Sequence, residues 1–225
     1  MASSSDAESR AELRRLVDGL RRAVDASVSL DLPAAELSAL ADDAHALARA
    51  LGEGSGRKPF PRYGGALDPG DPNSMLPFSP ITGRYNPLSA PVEIEIVAGP
   101  PARIVGRVTF GSPYEGPPSG VHGAVVAAVY DEVLALAAIA SNAGGPTATL
   151  TVRYRKLTPL RAPLRFEAWT DRIDGRKAFV RGACYAGEEL VSEAEGLFVR
   201  FDATRSPWAH SVDLAKVDGG QGSEN

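Results

Sequence analysis

Apolar side chains recur at helical spacing twice near the start of the chain. In residues 6–27, Leu13, Leu16, Val17, Leu20 and Val24 fall on one stripe behind a Ser5-x-x-Glu8 capping box, which predicts an amphipathic helix. A second helix is predicted over residues 33–51, with Pro33 near its start, Leu37, Leu40, Ala44, Leu47 and Leu51 on one stripe, and Gly52 just past its end. The pair forms a helical hairpin over residues 1–55 that carries packing features and no recognisable chemistry. The pattern then breaks. Pro59, Pro61, Pro69, Pro72, Pro77, Pro80, Pro87 and Pro91 exclude a regular helix or interior strand, so residues 56–91 are expected to be an extended connector.

Beyond it the period changes to two. Strands are predicted at 92–98 and 102–110, across a Gly-Pro-Pro turn, and the loop Gly-Ser-Pro-Tyr-Glu-Gly-Pro-Pro-Ser-Gly leads into a long apolar helix starting near His122. Gly144 and Gly145 end that helix, and Thr147–Lys156 reads as a strand of clean parity. Ala148, Leu150, Val152 and Tyr154 share one face, and Thr147, Thr149, Thr151, Arg153 and Arg155 the other. Strands at 164–173 and 177–186 flank the hairpin signal Asp174-Gly175, and a last strand covers 189–201. Two strands, a helix, then four strands in hairpin succession make an α+β domain over 92–202, one antiparallel sheet with a helix on one face. A polar, Gly-rich tail follows over 203–225. The central helix is apolar nearly all round, so the sheet must curl about it or a second subunit must cover it.

Composition narrows the picture. A single cysteine, Cys184, excludes an internal disulfide framework, and no Cys-x-x-Cys pair or histidine cluster offers a zinc site, which fits a reducing, cytoplasmic setting. Neither a signal peptide nor an organelle transit peptide is expected from the first residues, where Asp6 and Glu8 fall early. The run Val121–Ala140 is apolar enough to suggest a membrane span. Asp131 and Glu132 at its middle would each cost roughly 2.5 to 3.5 kcal/mol in lipid, so it is read as a core helix and no membrane is expected. The net charge of −4 is uneven. Residues 1–55 hold ten acids and six bases, and the remainder eighteen of each. Within Thr147–Arg181, nine bases face three acids, a local basic patch suited to a polyanionic small ligand rather than to nucleic acid.

The residues able to carry chemistry lie on the apolar helix. A carboxylate in an Ala/Val/Leu helix loses solvation, so Asp131 must be paired, protonated or functional. The helix start has free N–H groups and the positive end of the dipole, which suits an oxyanion, and Gly123 permits close approach. Glu132 is a rival acid about 100° around the helix. His45 and His210 read as incidental, Cys184 as a small buried hydrophobe, and the Gly/Pro loop lacks the Gly-Lys-Ser/Thr ending of a phosphate-binding loop.

His122-Gly123 followed by an acid nine residues after the histidine, on the central helix of this strand order, resembles the PaaI-type hotdog acyl-CoA thioesterases over residues 76–202. The resemblance implies a hotdog fold, a sheet wrapped around a long central helix, and hydrolysis of an acyl-CoA without metal or redox cofactor. It implies Asp131 as general base or nucleophile, the Gly123 amide as oxyanion donor, and His122 orienting the helix start or the substrate. Ala124 stands at the substrate-contacting position usually held by a second glycine. The segment Thr147–Leu160 resembles the following strand of a mammalian-type subgroup, which implies Thr147 assisting the water and Arg153 and Arg155 binding CoA. Thr147 shares parity with those arginines, so it reaches the helix only if the strand bends or bulges at its start. A non-catalytic acyl-CoA-binding or regulatory protein is the alternative reading.

Gly123 and Asp131 are eight residues apart, roughly 12 Å along a helix. One thioester carbonyl cannot touch both, so the expected active unit is a homo-oligomer, a dimer or dimer of dimers, in which two central helices run antiparallel across a two-fold axis.

Overall fold

The computed structural model describes residues 4–54 and 67–200, and the chain forms two compact units, Met1–Arg62 and Tyr63–Asn225. The first is a pair of helices, α1 (Ser4–Ser27) and α2 (Ala34–Glu53). Pro33 stands as the N-cap of α2, where a missing N–H costs nothing. Gly52 lies inside the last turn, and Gly54 ends the helix instead. Ser5, of the capping box, falls among residues whose side chains are not described.

The second unit contains β1 (Glu93–Val97), β2 (Arg103–Thr109), α3 (Gly123–Ala140), β3 (Thr147–Tyr154), β4 (Pro163–Asp174), β5 (Lys177–Ala186) and β6 (Glu189–Val199). All six strands form one antiparallel sheet in the order β1-β2-β4-β5-β6-β3, with α3 against one face, the hotdog arrangement. The expected succession of four hairpin-linked strands is corrected. Of the four strands after the helix, only β4, β5 and β6 follow one another as neighbours, while β3 pairs with β6 at the far edge and β2 pairs with β4. Parity explains why β3 can sit there, because its face toward α3 carries only Leu150 and Val152 half-buried.

Local chemistry closes the hairpins. Gly175 and Arg176 are the two turn residues between Asp174 and Lys177, with Gly175 at φ +56, so the turn lies one residue later than the Asp-Gly pair suggests. Gly187, at φ +61, serves the β5–β6 turn in the same position. On the sheet face toward the helix, Gly182 sets the packing distance. A Cβ there would lie 3.1 Å from the Leu134 and Tyr130 side chains and 3.0 Å from the Glu167 carbonyl oxygen. Val126, Val129, Val133 and Leu134 are thereby sealed against Ile104, Phe166, Val180 and Phe198, each such burial contributing roughly 1.5–3 kcal/mol. Tyr130 reaches through this core, stacks edge-on against Phe166, and donates from its hydroxyl to the Ser192 carbonyl oxygen at 2.8 Å.

Residues 67–92 contain no α-helix or strand, yet they are packed. The buried Asn73 amide donates to the Val92 carbonyl and accepts from Ile94 N–H, extending the hydrogen bonding beside β1. Ser79 and Thr82 donate their hydroxyls to the Glu132 carboxylate on α3, which ties this segment to the central helix.

Candidate active site

Two loops hold the start of α3. Val121 N–H donates to the Thr158 carbonyl, His122 N–H to that of Tyr114, and Arg161 N–H to that of Phe110. His122 is the N-cap, and its Nδ1 accepts from Ala124 N–H at 3.1 Å, so Nδ1 carries no proton in this arrangement. Val125 and Val126 N–H groups turn back to the His122 carbonyl. The Gly123 N–H meets no acceptor among the described residues. Of the first amides of the helix, it is the one left free to donate outward.

Tyr154 approaches the same glycine. Its hydroxyl donates to the Gly123 carbonyl at 2.7 Å, and a Cβ on residue 123 would lie 3.3 Å from its ring. Tyr154 was visible in the sequence as sharing parity with Leu150 and Val152, but no local signal ties it to a glycine 31 residues earlier.

Two turns along, Asp131 is half-buried. Thr147 Oγ1 donates to its Oδ1 at 2.7 Å, and Oδ2 has no partner among the described residues. A bulge between Thr147 and Thr149 shifts the β3–β6 register at this point. It turns Thr147 toward the helix while Thr149, Thr151 and Arg153 stay on the opposite face. Ala124, Ala127, Ala128, Asp131 and Ala135 lie on one side of α3 by their spacing, and each is half-buried or exposed. The helix is thus covered by its own sheet on one side and presents a stripe of small residues around Asp131 on the other.

The neighbouring acid differs. Glu132 points into the segment bearing Ser79 and Thr82, and burial raises its carboxyl above the usual range against the opposing effect of the two hydroxyl donors. It is a satisfied structural group. Burial likewise pushes the Cys184 thiol up to about 12, leaving it an inert core residue. Among the described residues, no group of His, Cys, Asp and Glu is arranged to hold a metal ion.

Arg153 and Arg155 are not brought to Asp131. They project from the sheet face away from α3, where Arg153 pairs with Glu195 at 3.4 Å and Arg155 with Glu193 at 2.7 Å. The basic patch read from Thr147–Arg181 is corrected accordingly. Lys156 meets Glu189, and Arg181 meets Asp171 at 3.7 Å, so acids of other strands, chiefly β6, neutralise much of it. Arg165 and Arg172 lie over the rings of Tyr185 and Phe179.

A family model of the thioesterase superfamily matches residues 120–193, from just before α3 into the first half of β6. The chain is 33% identical over 91 residues to the acyl-coenzyme A thioesterase THEM4 of Xenopus laevis, covering 39% of this chain and 41% of the relative. It is 26% identical over 92 residues to human acyl-coenzyme A thioesterase THEM5, covering 40% and 37%. The chain thus spans about two fifths of the length of the curated relatives it matches. A crystal structure of a thioesterase superfamily protein superposes with a TM-score of 0.73 at 33% identity, over 83% of this chain and 94% of the other. With 33% identity over nearly the whole length of a solved member, and α3 and β3–β5 inside the segment that the family model matches, the chain belongs to the thioesterase superfamily.

Proposed function

We propose that the protein hydrolyses an acyl-CoA thioester at a site made by two copies of the chain. The observation that carries this reading is the pair Asp131–Thr147, an oriented carboxylate with one oxygen free, set in an open stripe of small side chains. The curated relatives are named acyl-coenzyme A thioesterases, and the matched segment holds α3 and β3, the elements that bear this pair.

In the proposed reaction, the Gly123 N–H and the dipole of α3 hold the thioester carbonyl oxygen as it gains negative charge. Asp131 of the other copy acts at the carbonyl carbon. As a base it takes a proton from water, whose oxygen bonds to carbon. The carbon–sulfur bond then breaks, and the thiolate of CoA takes the proton back. As a nucleophile it forms a mixed anhydride, expels the thiolate, and is released by water. His122 fixes the helix start by occupying the Ala124 N–H, and Ala124 borders the path of the substrate. Arg153 and Arg155 exchange Glu195 and Glu193 for CoA phosphates where the nucleotide leaves the site.

Turnover against a panel of acyl-CoAs tests this, with Asp131→Asn alongside the wild type. Hydrolysis of at least one member, lost by several orders of magnitude in the folded variant, is the expected result. Binding without turnover by the wild type would favour a non-catalytic acyl-CoA-binding protein. Single turnover in ¹⁸O-labelled water tests the nucleophilic route, because label enters Asp131 only when water attacks the Asp131 carboxyl carbon of a mixed anhydride.

A further inference from the structure

The N-terminal hairpin has two helices and little core of its own. Every described residue of α2 is exposed, and among the described residues of the unit Val17 alone is buried. Leu37, Leu40, Ala44, Leu47 and Leu51 fall within one narrow stripe of α2 at 100° per residue. The four leucines are each at least 40% exposed. Leu16, Val24, Val28 and Leu30 add to this apolar surface. Together these side chains present on the order of 600 Å² per copy, about what one partner contributes to a small specific interface.

A receiving surface lies beside the stripe. A groove of about 430 Å³ runs along α1, lined by Gly19 and Ala23 one turn apart, by Leu16, Leu20 and Leu47, and by Arg22 beside the Glu12–Arg15 ion pair. Small residues among apolar ones accept the side chains of a packed helix. Charge matches as well. Glu36 and Asp43 flank one edge of the α2 stripe, and neither meets a base among the described residues, while Arg22 meets no carboxylate. The match to the solved relative covers more of this chain than Tyr63–Asn225 alone could supply, so the likeness reaches into this unit.

We infer that the hairpin is a self-association module, in which the α2 leucine stripe of one copy seats in the α1 groove of another to complete a four-helix bundle. A second copy fits because it brings both the acid-flanked stripe and the groove lined by Arg22, so one two-fold contact satisfies each twice. Pairing of hairpins is separate from the thioester chemistry proposed above.

Two measurements on the full chain test it. Ala23→Cys and Leu40→Cys proteins, differently tagged, are mixed, re-equilibrated and treated with a short bismaleimide, the buried Cys184 staying out of reach. A mixed covalent dimer is expected, and it should fall at least tenfold when Ser38→Cys, on the opposite side of α2, replaces Leu40→Cys. In parallel, sedimentation equilibrium of Leu40→Glu/Leu47→Glu should show at least one association step weakened tenfold or more, with unchanged circular dichroism and unchanged turnover, which reports the separate pairing proposed for the thioester site. Equal cross-linking from Ser38→Cys and Leu40→Cys overturns the inference. So does a folded double variant that associates like the wild type. If the double variant fails to fold, the cross-linking result alone decides.

Discussion

Thr147 at the start of β3 donates its hydroxyl to Asp131 in the middle of α3, across 2.7 Å, because a bulge turns the strand at that point. The bond fixes one carboxylate oxygen and leaves the other without a partner among the described residues. Replacing Thr147 with Val keeps the shape and removes the donor. The expected effect is a fall in kcat of about 10- to 100-fold with little change in KM, since a small misplacement of a catalytic group costs that much. Thr147→Ser should restore most of the rate. A Thr147→Val protein with wild-type kcat would make the contact purely structural.

Arg153 and Arg155 give a second expectation. Their pairs with Glu195 and Glu193 are more than half exposed on the arginine side, so losing them should cost the fold little. If they exchange those carboxylates for CoA phosphates, Arg153→Ala/Arg155→Ala raises KM for an acyl-CoA. It leaves turnover of a short thioester without the nucleotide nearly unchanged. Equal losses on both substrates would assign the arginines a role at the reacting carbon instead.

Glu132 predicts a pH dependence of stability. Its folded carboxyl titrates above the unfolded value, mainly through burial, with the Asp131 charge a smaller contributor in the same direction. The unfolded chain therefore gives up that proton first. This group's favourable contribution is fully present below the unfolded value and is lost as pH rises through the folded one. Glu132→Gln removes the titration. Its Tm relative to wild type should become more favourable between about pH 4 and pH 8. A difference that stays flat across that range would contradict the burial of a titrating group there.

Legibility in the sequence followed the range of the signal. The long apolar helix, the alternation of β3 and the turn at Asp174-Gly175 are written in neighbouring residues, and they lie within a few positions of where the pattern places them. Once the resemblance placed Thr147 at the helix, its parity with Arg153 and Arg155 required a bend at the start of β3, where the register shift between Thr147 and Thr149 falls. Pairing between distant segments did not. Nothing in residues 147–156 announces β6 as the neighbour of β3, so Glu193 and Glu195 were not counted against Arg155 and Arg153. The Ser79 and Thr82 bonds to Glu132 cross 53 and 50 residues, out of a proline-rich stretch that offers no period to read. Tyr154 over Gly123 needs the same long-range knowledge.

The central claim is that Gly123 of one copy and Asp131 of another act on a single carbonyl, because eight residues of helix set them roughly 12 Å apart within one chain. Subunit mixing measures this directly. Asp131→Asn and Gly123→Val proteins, the second crowding the amide beside Tyr154, are each expected to be inactive. They are unfolded together and refolded. Random pairing makes about half the dimers mixed, each with one intact site of two, so about a quarter of wild-type activity should return. Mixed dimers confirmed by mass with no recovered activity would put both groups in one chain and contradict the account.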